Sequence, residues 1–75
     1  MSETAIKTRL YVSAPLTAQT PLLLEGDQAH FLSRVLRLQS GDAVALFNGR
    51  DGLWRATVQE LRKKQVDLRI ESQLK

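Results

Sequence analysis

His30, Arg34 and Arg37 stand four and three residues apart in the stretch HFLSRVLRLQSGD, residues 30–42. At about 100° per residue on a helix, Ser33, Arg34 and Arg37 all fall within about 60° of His30. Guanidinium groups gathered on one face can take phosphate oxygens, each in a bidentate grip. A solvated face whose arginines pair with nearby acids has the same spacing, and spacing alone leaves both readings open. Arg50 stands between glycines in NGRDG, at a loop tip that either reaches a phosphate or folds back on Asp51. Lys63 and Lys64 close the run RKK at a hairpin tip. Solvation accounts for such a tip, and a contact with a nucleic-acid backbone is the other reading.

Other chemistry finds few residues to carry it. The single histidine has no sequence-near carboxylate free to orient it as a general base, since Asp27 is the expected helix N-cap. One histidine without any cysteine makes a poor zinc site. Glycines 26, 41, 49 and 52 form neither a P-loop nor a dinucleotide fingerprint, and Ser13, Ser33 and Ser40 stand in no nucleophile-elbow context. No catalytic residue, metal ligand or cofactor-binding residue is therefore expected in this chain.

The elements that must position the cations are short. Residues 1–8 show no periodicity and are expected to fray. RLYV (9–12) and PLLLE (21–25) are strand signals, and Pro21 suits a strand start or an edge. A helix is expected over about 28–37, with Asp27 as its N-cap and with Ala29, Phe31, Leu32, Val35 and Leu36 on its apolar face. Gly41 ends that region. AVALFN (43–48) and LWRATVQE (53–60) read as a hairpin closed by GRDG, and VDLRIE (66–71) alternates as a half-buried strand. Phe31, Phe47 and Trp54 are expected in the core, whereas Tyr11 suits either a buried or a half-exposed place. Strand, strand, helix and three strands in so short a chain make a mainly β fold, a small curled sheet or barrel closed by one helix.

Seventy-five residues make one domain at most. Eleven Lys and Arg stand against eight Asp and Glu, a net charge of +3 that is too mild to argue for a polyanionic partner. The distribution says more. Glu25, Asp27, Asp42 and Asp51 sit beside glycines or turns, where carboxylates cap and close, while the bases gather in the helix, the Gly loop and RKK. No apolar run is long enough for a signal peptide or a membrane span, so a soluble, cytoplasmic chain is expected. The chain stops four residues past a strand, which suggests a fragment of something longer.

RLYV, then H-x-x-x-R-V-L-R-L, G-D and F-N-G-R-D-G in that order, resemble the N-terminal domain of the ribosomal RNA small-subunit methyltransferase E family, which methylates N3 of a uridine in 16S ribosomal RNA. The resemblance runs from Arg9 to about Ile70. It implies a PUA-like β-barrel of about five to six strands with one helix, occupying residues 9–75. It implies that the chain itself is non-catalytic and holds small-subunit ribosomal RNA for a separate C-terminal knotted methyltransferase domain. That absent domain binds S-adenosylmethionine and dimerises in the family. The RNA-binding set it implies is Arg9, His30, Arg34, Arg37 and Arg50, whereas Lys63 and Lys64 fit by charge alone. Ser33 departs from the family pattern, which often has a basic residue near that position. The rival expectation is a protein-interaction module whose basic face docks an acidic protein surface or its own catalytic domain.

Overall fold

The computed structural model describes residues 6–75. Strands β1 (Ile6–Tyr11), β2 (Thr20–Glu25), β3 (Ala43–Phe47), β4 (Leu53–Leu61) and β5 (Gln65–Gln73) form one sheet in the order β1-β3-β4-β5-β2. β1 runs parallel to β3, and the other neighbours are antiparallel. β1 begins at Ile6, so residues 6–8 of the stretch expected to fray belong to the sheet, while residues 1–5 lie outside the described residues. Pro21 sits on edge strand β2, where a missing N–H costs no central ladder bond.

Period-two alternation sorts the side chains. Leu10, Val44, Leu46, Ala56, Val58, Val66, Leu68 and Ile70 share the inner face and are nearly or fully buried. Each large aliphatic buried this way is worth about 1.5–3 kcal/mol. Register shifts between Arg55 and Ala56 and between Val58 and Glu60 bend β4 across β5. The sheet curls far enough for Val12–Ala14, just past β1, and Leu22–Glu25 of β2 to line a common crevice of about 140 Å³. No ladder joins β1 to β2, so the barrel stays open along this seam. Gln28 lines the same crevice, and its amide Nε2 donates to the Tyr11 carbonyl.

The helix lies slightly earlier than expected, and half of it is not α. Helix α1 (Gly26–His30) is one turn long and continues as a π-helical turn, Phe31–Val35. Glu25, in extended conformation, occupies the N-cap without a side-chain capping bond to the helix. Asp27, expected there, lies inside the first turn, where its charge favours the helix dipole. Ser33 Oγ donates to the Ala29 carbonyl at 2.9 Å, a back-bond that competes with the regular helical ladder. Leu36 N–H then bonds Phe31 C=O at 2.9 Å, five residues back. Arg37 turns left-handed at φ 54°, and Leu38 N–H reaches Leu32 C=O at 3.0 Å to close the element.

The wider turn redistributes the apolar face. Ala29 and Leu32 are buried, Leu36 is half-buried, and Leu38 beyond the helix enters the core. Phe31 and Val35, expected to seal the sheet, are instead 36 % and 60 % exposed. Phe47 is also outside the core. Val44 and Leu46 point inward, so Phe47 shares the outer face with Tyr11 and Leu53, its partners in register. Trp54 is half-buried against the core, with its indole N–H donated to the Asp51 carbonyl at 2.8 Å.

Candidate nucleic-acid interface

Arg9, His30, Arg34, Arg37, Arg50, Lys63 and Lys64 are all exposed. None of them forms an ion pair among the described residues. Arg62 forms two ion pairs, reaching Glu60 at 3.3 Å and Asp67 at 3.1 Å across the base of the β4–β5 hairpin.

Several acids are occupied locally. Glu25 accepts from the Gln65 amide at 3.0 Å, and Asp42 accepts the Gln39 N–H at 2.9 Å. Asp51 accepts the Leu16 N–H at 3.1 Å and the Asn48 amide at 2.7 Å. Those bonds, first that from Asn48 and then that from Leu16, hold the Asp51 carboxyl below its ordinary value of 3.8, and the nearby Arg50 charge adds to the effect. With these carboxylates engaged in turns and hairpins, the seven basic side chains keep no ion-pair partner within 4.0 Å among the described residues.

Each cation is presented differently. His30 ends α1 and Arg34 lies in the π turn, on the side away from buried Leu32. Arg37 is off the helix altogether. The expected single α-helical face is therefore divided: His30 ends α1, Arg34 lies in the π turn, and Arg37 falls beyond it because the π turn ends the helix at Val35. A non-glycine residue with positive φ costs on the order of 1–2 kcal/mol, and such strain gathers at functional positions.

Arg50 stands on a loop built by Asn48. The side chain of Asn48, 7 % exposed, accepts the N–H groups of Arg50 and Asp51 at 2.9 and 2.8 Å. It donates to the Ala14 carbonyl at 3.0 Å as well as to Asp51. The loop is thus pinned to the β1–β2 connection, and the Asp51 carboxylate is aimed at Leu16 and Asn48 rather than at the Arg50 guanidinium. Asn48 went unremarked in the sequence, although an Asn opening a Gly-rich turn is a standard sign of side-chain-to-backbone bonding.

These cations do not form one patch. Arg50 lies in the β3–β4 turn, and Lys63 and Lys64 lie in the β4–β5 turn, at opposite ends of β4. Nine extended residues separate the two turns by roughly 25 Å if β4 were straight. Arg9 is on the outer face of β1, in register with Ala45. The arrangement is a set of separated positive points around a small globule, suited to following an extended polyanion rather than to gripping one small anion. Among the described residues no cluster of three or more His, Asp or Glu is placed to hold a metal, and no helix is long and apolar enough to cross a membrane.

Comparison with known proteins bears on the family to which such a surface belongs. The family model described as the RNA methyltransferase PUA domain matches residues 24–71. The ribosomal RNA small subunit methyltransferase E of Rickettsia conorii is 34 % identical over 68 residues, covering 89 % of this chain and 28 % of that protein. The protein of the same name from Synechocystis is 40 % identical over 53 residues, 71 % of this chain and 18 % of its own length. The chain thus spans less than a third of either relative. Among solved structures, a putative methyltransferase of Legionella pneumophila in complex with bound S-adenosylmethionine superposes with a TM-score of 0.79 at 31 % identity, over 85 % of this chain and 26 % of that one. The ribosomal RNA small subunit methyltransferase E of Neisseria gonorrhoeae, bound to S-adenosylmethionine, shares the fold with a TM-score of 0.75 at 22 % identity, over 85 % and 27 %.

Proposed function

The chain belongs to the RNA methyltransferase PUA domain family, and from that premise we propose that it is the RNA-recognition domain of a 16S ribosomal RNA uridine-N3 methyltransferase. The observation that carries this reading is the set of exposed basic side chains, Arg9, His30, Arg34, Arg37 and Arg50, without a carboxylate partner among the described residues. His30 and Arg34 take backbone phosphates from the helical face. Arg37, set just past the helix by its left-handed backbone, and Arg50, raised on the Asn48 loop, take phosphates further along the strand. Arg9 binds from the sheet, and Lys63 and Lys64 extend the track at the far hairpin. Such contacts position RNA and carry little sequence information, so specificity comes from the rest of the enzyme and from the folded ribosomal particle.

Catalysis belongs to a separate C-terminal domain that binds S-adenosylmethionine and pairs with a second copy in the cytoplasm. The residues of this chain do not fit the cofactor. A groove of about 540 Å³ between β2 and β5 offers Asp67 and Arg69, but Asp67 is already tied to Arg62 and Arg69 to Gln19. The domain's part in the reaction is to fix where the RNA lies.

A second reading draws on the exposed Phe31 and Val35. In it the helical region docks on a protein surface, the parent's own catalytic domain being the nearest one. A chemical-shift titration separates the two. Fragments of 16S ribosomal RNA shifting the signals of residues 9, 30–37 and 50 support RNA recognition. No response to RNA, together with self-association or binding to the catalytic domain through residues 31 and 35, refutes it.

A further inference from the structure

Tyr11 and Phe47 form an edge-to-face pair on the outer face of the sheet, with ring centroids 5.7 Å apart and planes at 70°. Tyr11 is 56 % and Phe47 37 % exposed. We propose that this pair is a stacking platform for one unpaired nucleobase, with the phosphate next to that base held at Arg9. The proposal rests on the RNA-recognition reading and adds a single-stranded base to a site otherwise described by phosphates alone.

The register places the parts. Tyr11, Phe47 and Leu53 are direct neighbours across β1, β3 and β4 and form one apolar row. The next row on the same face is Arg9, Ala45 and Arg55. Two residues along a strand advance about 6.6 Å, comparable to the distance from a nucleobase to its own phosphate. Ala45, the middle residue of the second row, contributes only a methyl group there and is itself almost fully buried. Arg50 lies in the loop that joins Phe47 to Leu53, beyond the row on the side opposite Arg9. The nearest acid in sequence, Asp51, is committed to Leu16 and Asn48.

The platform is held before any ligand arrives. Val12 N–H bonds Phe47 C=O at 2.9 Å, and Gln28 donates to the Tyr11 carbonyl, so the backbone beneath the rings is tied to both β3 and α1. An edge-to-face pair leaves ring surface open for a third ring. The Tyr11 hydroxyl has no hydrogen-bond partner among the described residues, which leaves it for a base edge or a ribose. Aromatic rings flanked by arginines are the general means of holding single-stranded nucleic acid, because every base has a π-face. Arginines on either side of the row, Arg9 in the next row and Arg50 in the adjoining loop, favour this occupant over a protein surface.

The test uses the 75-residue chain and a short single-stranded oligoribonucleotide carrying one 2-aminopurine, beside an oligonucleotide of equal length and charge that is abasic at that position. The wild type should quench the 2-aminopurine emission and bind the base-bearing strand more tightly than the abasic one. Tyr11→Leu should abolish the quenching and weaken binding of the base-bearing strand roughly tenfold, while leaving the abasic strand and the melting temperature unchanged. Tyr11→Phe should retain both the quenching and most of the affinity. If both strands bind equally and Tyr11→Leu changes nothing, while binding remains salt-dependent, the stacking proposal is overturned and RNA recognition stands. If neither strand binds, both fall. If Tyr11→Leu instead turns a dimer into a monomer at unchanged RNA affinity, the pair is a protein interface and the proposal is again overturned.

Discussion

Leu32→Ala and Val35→Ala form a matched pair of perturbations for the helical register. On a regular α-helix both positions fall on the apolar arc and should cost similar amounts. In the structure Leu32 is 0 % and Val35 60 % exposed. Truncating a fully buried leucine costs about 2–5 kcal/mol, the spread reflecting how far the cavity collapses. A truncation at an exposed site usually stays within about 0.5 kcal/mol. A domain of this size holds roughly 4–11 kcal/mol in total, so Leu32→Ala removes a large share of it. Near the midpoint each kcal/mol is worth about 4–8 °C, which gives a fall on the order of 8–40 °C for Leu32→Ala against a few degrees at most for Val35→Ala. Thermal and urea unfolding followed by circular dichroism measure both. Leu36→Ala should fall between them, because Leu36 is half-buried. Equal losses at Leu32 and Val35 would refute the π turn, and with it the outward placement of Arg34 and the release of Arg37 from the helix.

Arg37→Gly should weaken RNA binding while raising stability by up to about 1 kcal/mol, since glycine adopts φ 54° without strain but adds freedom to the unfolded chain; a loss of stability in urea melts would show that the Arg37 side chain has a structural partner. Asn48→Ala should cost about 2–3 kcal/mol, because it strands the Arg50 and Asp51 amides and the Ala14 carbonyl; denaturant midpoints check this, and an unchanged midpoint would mean the loop is not built by that side chain. Asp51 has a folded value below 3.8, so its contribution to stability is fully present above the ordinary value and drains away as pH falls below it through the folded value. Unfolding midpoints collected on acidification should therefore show a decline that Asp51→Asn flattens, and an identical acid profile in that variant would contradict the Asn48 and Leu16 bonds.

Much of this architecture could be read from residue types and order. VDLRIE alternates without exception, and its burial alternates with it: Val66, Leu68 and Ile70 lie inward. The hairpin through GRDG, the β4–β5 turn at RKK and the edge position of Pro21 follow from turn chemistry and from the missing proline N–H. The helix was harder. Composition over residues 26–37 favours an amphipathic helix but contains no sign that five residues would adopt π geometry. The Ser33 hydroxyl, bonded to Ala29, is visible only with the backbone in place. That one departure moved Phe31 and Val35 outward and put Arg37 in a left-handed turn. Phe47 is a different case, because its exposure was legible. Inward Val44 and Leu46 fix its parity, but five consecutive apolar residues mask the alternation. The candidate site was legible as a set of positive charges and not as a surface. Which acids would be spent on Leu16, Gln39 or Arg62 depends on contacts up to 35 residues apart in the chain.

The central claim is that the unpaired cations bind RNA through its phosphates. The most direct test is the salt dependence of binding between this chain and a 16S ribosomal RNA fragment, measured for the wild type and for Arg34→Ala, Arg37→Gly and Arg50→Ala. Log affinity should fall linearly with log salt concentration, and each variant should lower the magnitude of the slope by about one with no loss of fold. Binding that ignores salt, or slopes identical in the wild type and all three variants, would contradict it.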